Sequence, residues 1–453
     1  MANVTRHIGL SLGADLCWPI CYEEILKRLD LAIPVGRDTV RFDVDRVTIE
    51  PFDLRKPCRY DLVVDRLTHW YSVSREWIKK SVLMDGLYVF NNPWTIQSME
   101  KHSTYAAMMA LGMPVPDTWM IPPKSYDPKP DLAITLERYA KLFDLGDVGR
   151  QLGYPSYMKP YDGGGWQGVS RAGDEAQLRA SYEQSGTNVM HLQKAIEPFD
   201  RFVRVVGLGP QTRAILYDPT LPLHDRYTME RDFVSAEDVA LLEDMTLTIN
   251  AFFGWDFNSC EALRKDGVWH PIDFANACPD SQVTSLHYHF PWLVMANLAW
   301  SVFVAATKRP MRLNLDWDPF YAIAREKAPF REKLAAYAAI ARKRLEADRF
   351  EEFTAKHLAH LPEVTREFFG TERAKDAVRQ KTAALYPAHE VEAFTDLFWE
   401  RIQKWRSTPE PVPTARPAAA QTTAQAAAPA AARGKSRSPK ATTGRRAPAR
   451  VKA

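Results

Sequence analysis

Four short apolar runs near the start of the chain, 7–12 (HIGLSL), 39–44 (TVRFDV), 61–66 (DLVVDR) and 87–90 (LYVF), alternate with helical stretches. Runs of this kind predict β-strands. Between the first two runs, Tyr22 to Leu29 places apolar residues at helical spacing, so the opening reads as strand, glycine-containing turn, helix. Such a succession predicts an α/β layer, in which strand ends can form a ligand crevice. A helical pattern runs from Pro93 to Leu111 and stops at Gly112, after which MPVPDTW forces an extended path into a further strand. Helices are predicted at 133–145 and 174–184, and strands at 156–160, 189–196, 201–209 and 212–218. A helix from Ala236 to Phe253 leads into strands at 257–264 and 268–276, joined by a turn at Asp266-Gly267. Beyond residue 312 the β pattern is lost and amphipathic helix continues to 407.

The pattern divides the chain into an α/β entry domain at 1–92, an α+β block of two subdomains at 93–311 and a helical extension at 312–407. A tail at 408–453, rich in Ala, Pro and Thr and without aromatic residues, is expected to be disordered. Its nine Lys/Arg and single acid, Glu410, give it a charge of +8, so 1–407 carries −5 of the net +3. The basic balance therefore describes the tail, and nucleic acid is expected to bind there weakly if at all. Phe290 to Thr307 is uncharged and near membrane-spanning length, but Pro291, Asn297 and Ser301 dilute it, and a buried helix is the expected reading. Five scattered cysteines suit a reducing compartment, with Cys17 and Cys21 read as buried small hydrophobes. The first stretch is broken by Asp15 and lacks the basic lead and clean apolar run of a secretory signal, so the expected location is cytoplasmic.

Four segments carry candidate chemistry. In SYMKPYDGGGWQGVSR a strand ends at Lys159 and is followed by Gly163, Gly164, Gly165 and Gly168; glycines there let backbone N–H groups approach an anion, and the lysine adds charge. The order is not that of a Walker loop, because the lysine precedes the glycines. In SCEALRKDGVWHPIDFANACPD, Glu261 and Asp273 face each other across the hairpin with Asn276 just beyond, a set of hard oxygen donors suited to Mg²⁺. Asp256 and Asp280 lie nearby with turn roles expected. His287 and His289 would share a face if their segment were a strand, and they are read as capping the apolar helix or lining a cleft. Lys101 stands on a helix, and a strand runs through Gln193, Lys194, Ala195 and Ile196 toward Asp200.

In this order the segments resemble the ATP-grasp superfamily, in particular carboxylate–amine ligases of the D-alanine ligase, glutathione synthetase and RimK-like kinds. The resemblance covers roughly residues 91–280. It rests on NNPWTIQSMEKHSTYAAMMALGMPVPDTW, on YMKP with its glycine loop, and on the closing IDFAN. It implies an ATP-grasp fold after a Rossmann-like entry domain that supplies part of the acid- or amine-binding surface, with Arg66 a candidate contact there. It also implies an ATP- and Mg²⁺-dependent enzyme, with Mn²⁺ as a substitute ion, that activates a carboxylate as an acyl phosphate and joins it to an amine, with an amino acid or peptide as the first expectation. Lys101 and Lys159 would bind ATP phosphates under a lid at Gly163–Gly168. The backbone of 193–196 would meet the adenine edge, Asp200 the ribose, and Glu261, Asp273 and Asn276 the metal. Arg226, or Arg213, would face the acyl phosphate. Two residues separate Asp273 from Asn276 where the family usually has one, so a bulge at Phe274-Ala275 is expected. A kinase-like phosphotransferase and an inactive nucleotide-binding scaffold are the alternatives.

Overall fold

The computed structural model describes residues 3–48, 50–95, 101–139, 143–161, 167–276 and 278–408. The glycines at 163–165 and the tail from 409 lie outside the described residues. Strand β1 (Asn3–Ser11) and helix α1 (Cys17–Leu29) open the chain, followed by β2 (Ile33–Val35), β3 (Asp38–Arg46), β4 (Leu62–Asp65), α2 (Ser72–Asp85) and β5 (Tyr88–Val89). The sheet order is β2-β3-β1-β4-β5, with β1 parallel to β3 and β4, β4 parallel to β5, and β2 antiparallel to β3. Alternation along β1 and β4 turns Ile8, Leu10, Leu62 and Val64 toward Trp18, Tyr22 and Ile25 of α1. The next residue over, Val63, joins Val89 in packing against Ile78 and Val82 of α2 on the opposite face.

A second sheet, all antiparallel, has the order β6-β9-β7-β8 and comes from α3 (Lys101–Ala110), β6 (Thr118–Ile121), α4 (Leu132–Tyr139), α5 (Leu145–Leu152), β7 (Ser156–Pro160), β8 (Ser170–Ala172), α6 (Glu175–Gln184) and β9 (Met190–Lys194). Met158, Met190 and Leu192 pack with Leu145, Val148 and Leu178 of α5 and α6. The other face therefore carries Lys159, His191 and Gln193. The helix expected over 133–145 ends earlier, and a separate α5 starts because the Asp144 carboxylate accepts the Gly146 N–H at 2.7 Å as an N-cap.

The third sheet, order β11-β10-β12-β13 and also antiparallel, is built from β10 (Arg201–Leu208), β11 (Gln211–Leu216), α7 (Ala236–Phe253), β12 (Phe257–Lys265) and β13 (Val268–Asp273). Asp266 and Gly267 turn the last hairpin with φ of 51° and 77°, as a two-residue turn between twisted strands requires. Val203, Val205 and Ala262 pack on Leu242 of α7, leaving Arg204, Glu261 and Asp273 in a row on the opposite face. Between β10 and β11, Gly209 has φ 56° and lies so close to the Trp300 ring that a Cβ would stand 2.3 Å from it, a position that only glycine fills.

Helices then follow one another: α8 (Val283–Leu286), α9 (Phe290–Thr307), α10 (Asp318–Ala324), α11 (Phe330–Arg344), α12 (Ala347–His357), α13 (Leu361–Phe368), α14 (Glu372–Ala383) and α15 (Val391–Arg406). The helical stretch Val283–Thr307 is long and apolar enough to cross a membrane, yet 94% of its apolar window is buried inside the protein, as in a core helix. One apolar core joins α9 to the first sheet, to α1 and to Phe350, Phe368, Val378, Phe398 and Trp405 of the C-terminal helices.

Candidate functional site

Three elements bring their charged side chains together. From α3, Lys101 Nζ donates to Asp273 Oδ2 at 2.6 Å. From β7, Lys159 Nζ donates to Gln193 Oε1 at 2.7 Å and to the Ile272 carbonyl at 3.1 Å, and lies over the Tyr105 ring at 5.4 Å. From β10, Arg204 pairs with Glu261 at 2.9 Å. Gln193 is held in turn by donating Nε2–H to Thr118 Oγ1 at 2.8 Å.

The hairpin is what places the two carboxylates opposite each other. Counting back from the Asp266-Gly267 turn, a regular ladder would set Ile272 against Glu261; instead Ala262 faces Pro271 and Glu261 faces Asp273. Ile272 is the extra residue of a β-bulge. Its carbonyl, turned out of the ladder, accepts from Lys159 and from Tyr105 Oη, the latter at 2.8 Å. The bulge expected at Phe274-Ala275 thus falls at Ile272, before Asp273. β13 ends at Asp273, and Phe274 and Ala275 are buried. Asn276 stays beside β12: its N–H donates to Asn258 Oδ1 at 2.9 Å and its Nδ2 to the Ser259 carbonyl at 3.2 Å, two residues before Glu261.

Burial works against ionising Asp273, but the charges of Lys101 and Lys159 prevail and hold it below the usual carboxylate range. Glu261 goes the other way: burial and repulsion from Asp273 raise it despite Arg204 and the lysines. Lys159 is lowered to about 8 by burial and by Lys101, against the attraction of Asp273 and Glu261. Asp273 Oδ1 is buried and has no hydrogen-bond partner among the described residues. An orphaned carboxylate oxygen beside a second carboxylate and an amide is a donor set that fits a hard divalent cation. Among the described residues no group of three or more His, Cys, Asp and Glu collects.

Other residues singled out in the sequence stand elsewhere. Asp200 is half exposed and held by Arg264 at 2.6 Å. Of the 193–196 amides, that of Lys194 donates to the Asp117 carbonyl and that of Ala195 to the Pro155 carbonyl, at 2.9 and 3.1 Å, so both are taken up within the protein. Gly168 has φ 69° and touches Pro160, next to Lys159. Arg226 donates to the Leu221 carbonyl at 3.0 Å, away from the lysines. Arg213 lies over the Trp292 ring at 5.6 Å. His287 and His289 occupy a 3₁₀ turn rather than a strand, so they do not share a face by alternation. His289 Nε2 must carry the hydrogen it gives the Thr228 carbonyl at 2.7 Å. Asp256 is buried and accepts from Tyr88 Oη at 2.8 Å and Trp300 Nε1 at 2.9 Å, a structural role. Cys17 and Cys21 are buried on α1.

Two site residues went unnoticed in the sequence. Arg204 sits in an ordinary-looking strand, RFVRVVG, and only the β10–β12 register, Arg204 against Glu261, reveals it. His191, fully buried with neither ring nitrogen hydrogen-bonded among the described residues, lies beside Tyr105 and His102, with ring centroids 5.5 and 5.7 Å apart. Burial, with Lys159 nearby, lowers it to about 3 and keeps it neutral.

No protein-family model matches the chain, and no curated protein matches it. Solved structures do. A D-alanine–D-alanine ligase from Bacillus anthracis complexed with ATP is 14% identical over 75% of this chain and 99% of its own, with a TM-score of 0.42. A RimK domain ATP-grasp protein from Sphaerobacter thermophilus is 14% identical over 64% and 97%, with a TM-score of 0.43. A RiPP-associated ATP-grasp ligase from Chryseobacterium gregarium, in complex with ADP and a leader and core peptide, is 12% identical over 69% and 99%, with a TM-score of 0.44. Overlaps of this size assign no activity, which the site's own residues have to carry.

Proposed function

We propose that the chain is an ATP- and Mg²⁺-dependent carboxylate–amine ligase of the ATP-grasp kind, acting in the cytoplasm on an amino acid or peptide. In this reading a substrate carboxylate takes the γ-phosphoryl group of ATP, releasing ADP, and an amine then displaces phosphate to form an amide. The observation that carries the reading is the convergence of Lys101 and Lys159 on the Asp273–Glu261 pair, from four separate elements. Phosphoryl transfer needs positioning and charge rather than a covalent nucleophile on the protein. Lys101 and Lys159 supply flexible cations for the phosphates, and Arg204 keeps a positive charge on the far side of Glu261. Glu261, Asp273 and Asn276 would hold Mg²⁺, which when bound neutralises phosphate charge. The face of the second sheet that carries Lys159 and Gln193 would meet the nucleotide, with 193–196 at the adenine, the 163–168 loop over the phosphates and Asp200 toward the ribose. Arg226, which donates to the Leu221 carbonyl, or Arg213, over the Trp292 ring, would face the acyl phosphate.

The test is to incubate the full chain with Mg²⁺, ATP and pooled amino acids and small peptides, following phosphate release with mass spectrometry of nucleotide and products. ADP, phosphate and a product equal to acid plus amine minus water are expected, and Lys159→Met or Asp273→Asn should lower that turnover at least a hundredfold, about 3 kcal/mol, while the circular dichroism spectrum is unchanged. A phosphorylated product would replace the ligase by a phosphotransferase, and ATP binding without turnover in every pool would replace it by a scaffold.

A further inference from the structure

In the first sheet the chain leaves β1 through α1 on one face and leaves β4 through α2 on the other. Loops that part to opposite faces open a crevice at the carboxyl ends of the strands between them. A cavity of about 430 Å³ lies there, walled by Gly13–Asp15 after β1, by Arg66, Leu67, Trp70 and Tyr71 after β4, and by 278–280 and Gln282. Its size falls within the range of small-ligand sites. Cys278, on its wall, is five residues beyond Asp273 along the chain.

The charges around this cavity are unequally engaged. Arg66, expected as a ligand contact, is only 4% exposed, and its guanidinium is taken up by both Asp15 oxygens, Ser281 Oγ and the Pro279 carbonyl, at 2.8–3.2 Å. It braces the wall. Lys381, buried on α14, donates to the Ala14 carbonyl at 3.0 Å. Asp280 differs. Its oxygens accept only from neutral donors, the Gln282 N–H at 2.9 Å and Ser285 Oγ at 2.6 Å, and among the described residues it has no ion-pair partner, although Arg66 and Lys381 act on it through space. A carboxylate offers about four acceptor positions, so further donors can be received. Trp70 and Tyr71, each 56% exposed, present large aromatic surfaces at the same cavity. A carboxylate beside exposed aromatic rings is the chemistry that binds an ammonium group.

We infer that this cavity is the subsite for the ammonium-bearing substrate, held by Asp280 through charge and by Trp70 and Tyr71 through their rings. This rests on the ligase reading for its place in the reaction, since a primary amine or the α-ammonium of an amino acid or peptide is what such a pocket selects. Asp280 also caps the turn into α8, and Asp280→Asn keeps an acceptor for the Gln282 N–H while removing the charge, so the fold and the role separate.

The experiment measures binding of phenethylammonium and of neutral N-acetylphenethylamine to the full chain by isothermal titration calorimetry, with ATP binding titrated in parallel on the same preparations. The expected result is at least a tenfold preference for the ammonium probe, lost in Asp280→Asn. In Trp70→Ala/Tyr71→Ala both probes should weaken, and melting temperatures should stay unchanged in all variants. No binding of the ammonium probe, equal binding of the two probes, or an unaltered preference in Asp280→Asn would overturn the assignment. ATP binding alongside any of those outcomes leaves the ligase reading standing, whereas a clear ammonium preference without ATP binding would overturn that reading and keep the pocket.

Discussion

Lys159 shows how one residue ties folding to chemistry. Its ammonium is buried against Gln193, Ile272 and the Tyr105 ring, and with Lys101 close by its pKa falls from 10.5 to about 8. Under the ligase reading only the protonated form attracts phosphate, so kcat/KM for ATP should fall as pH rises through about 8, roughly tenfold per unit beyond it. Lys159→Arg, which cannot deprotonate there, should remove that limb even if it lowers the plateau. A profile level to pH 10 in the parent chain would mean that Lys159 stays protonated there or does not contact the nucleotide. The same lowering makes the folded state bind fewer protons than the unfolded chain between 8 and 10.5, so stability attributable to this group rises with pH across that window. Lys159, Glu261 and Asp273 stand in local motifs that mark them in the sequence, whereas Lys101, a single lysine on a helix, is singled out only by the family resemblance. Arg204 was not legible, because its meaning lies in a partner 57 residues away, set by strand register.

Among the elements, the hairpin of β12 and β13 was legible down to its turn, whereas the bulge that aligns its carboxylates was not. A two-residue turn fixes where pairing starts, but a single added residue changes which side chains meet, and Ile272 carries no mark of it. The junction of β5, β12 and α9 has the same long-range character. Asn91 grips Phe257 by donating to its carbonyl and accepting its N–H, both at 2.7 Å, so the start of the NNPWTIQSME segment serves to dock the first sheet on the third. Next to it, buried Asp256 receives Tyr88 and Trp300, with Arg309 reaching the Tyr88 hydroxyl. Asp256→Ala leaves the Tyr88 hydroxyl and the Trp300 Nε1–H without their acceptor, while Arg309 keeps Glu346 at 3.0 Å, and should cost about 1–3 kcal/mol of stability. Asp256→Asn, which keeps an acceptor for the tyrosine and tryptophan, should cost less. Urea unfolding of both variants checks the order, and equal losses would mean that the acceptor at 256 contributes nothing beyond the charge.

At the scale of the whole molecule, sequence order hides how far the core reaches. The C-terminal helices look self-contained in the sequence, yet Phe350, Phe368, Val378 and Trp405 share one core with α1, α9 and the first sheet, because their amphipathic faces need an apolar partner that the helices alone do not supply. Enclosure on this scale buries histidines as well as hydrophobes. His69, His191 and His289 are lowered to about 3 and His287 to about 2, each mainly by burial and further by nearby cations, so all four are neutral in the folded chain. Once unfolded they titrate near 6.5. As pH falls below 6.5 the unfolded chain therefore takes up protons that the folded chain refuses until about 3, and stability drops by about 1.4 kcal/mol per pH unit for each histidine. Together the four should steepen the loss to about 5 kcal/mol per unit between pH 6 and 4, enough to exhaust the stability of an ordinary domain within two or three units. Urea unfolding at half-unit steps reads the slope directly. His289→Gln, whose amide can still donate to the Thr228 carbonyl, should reduce the slope by close to one proton, and stability that stays level from pH 6.5 to 5 would mean that these rings reach protons without unfolding.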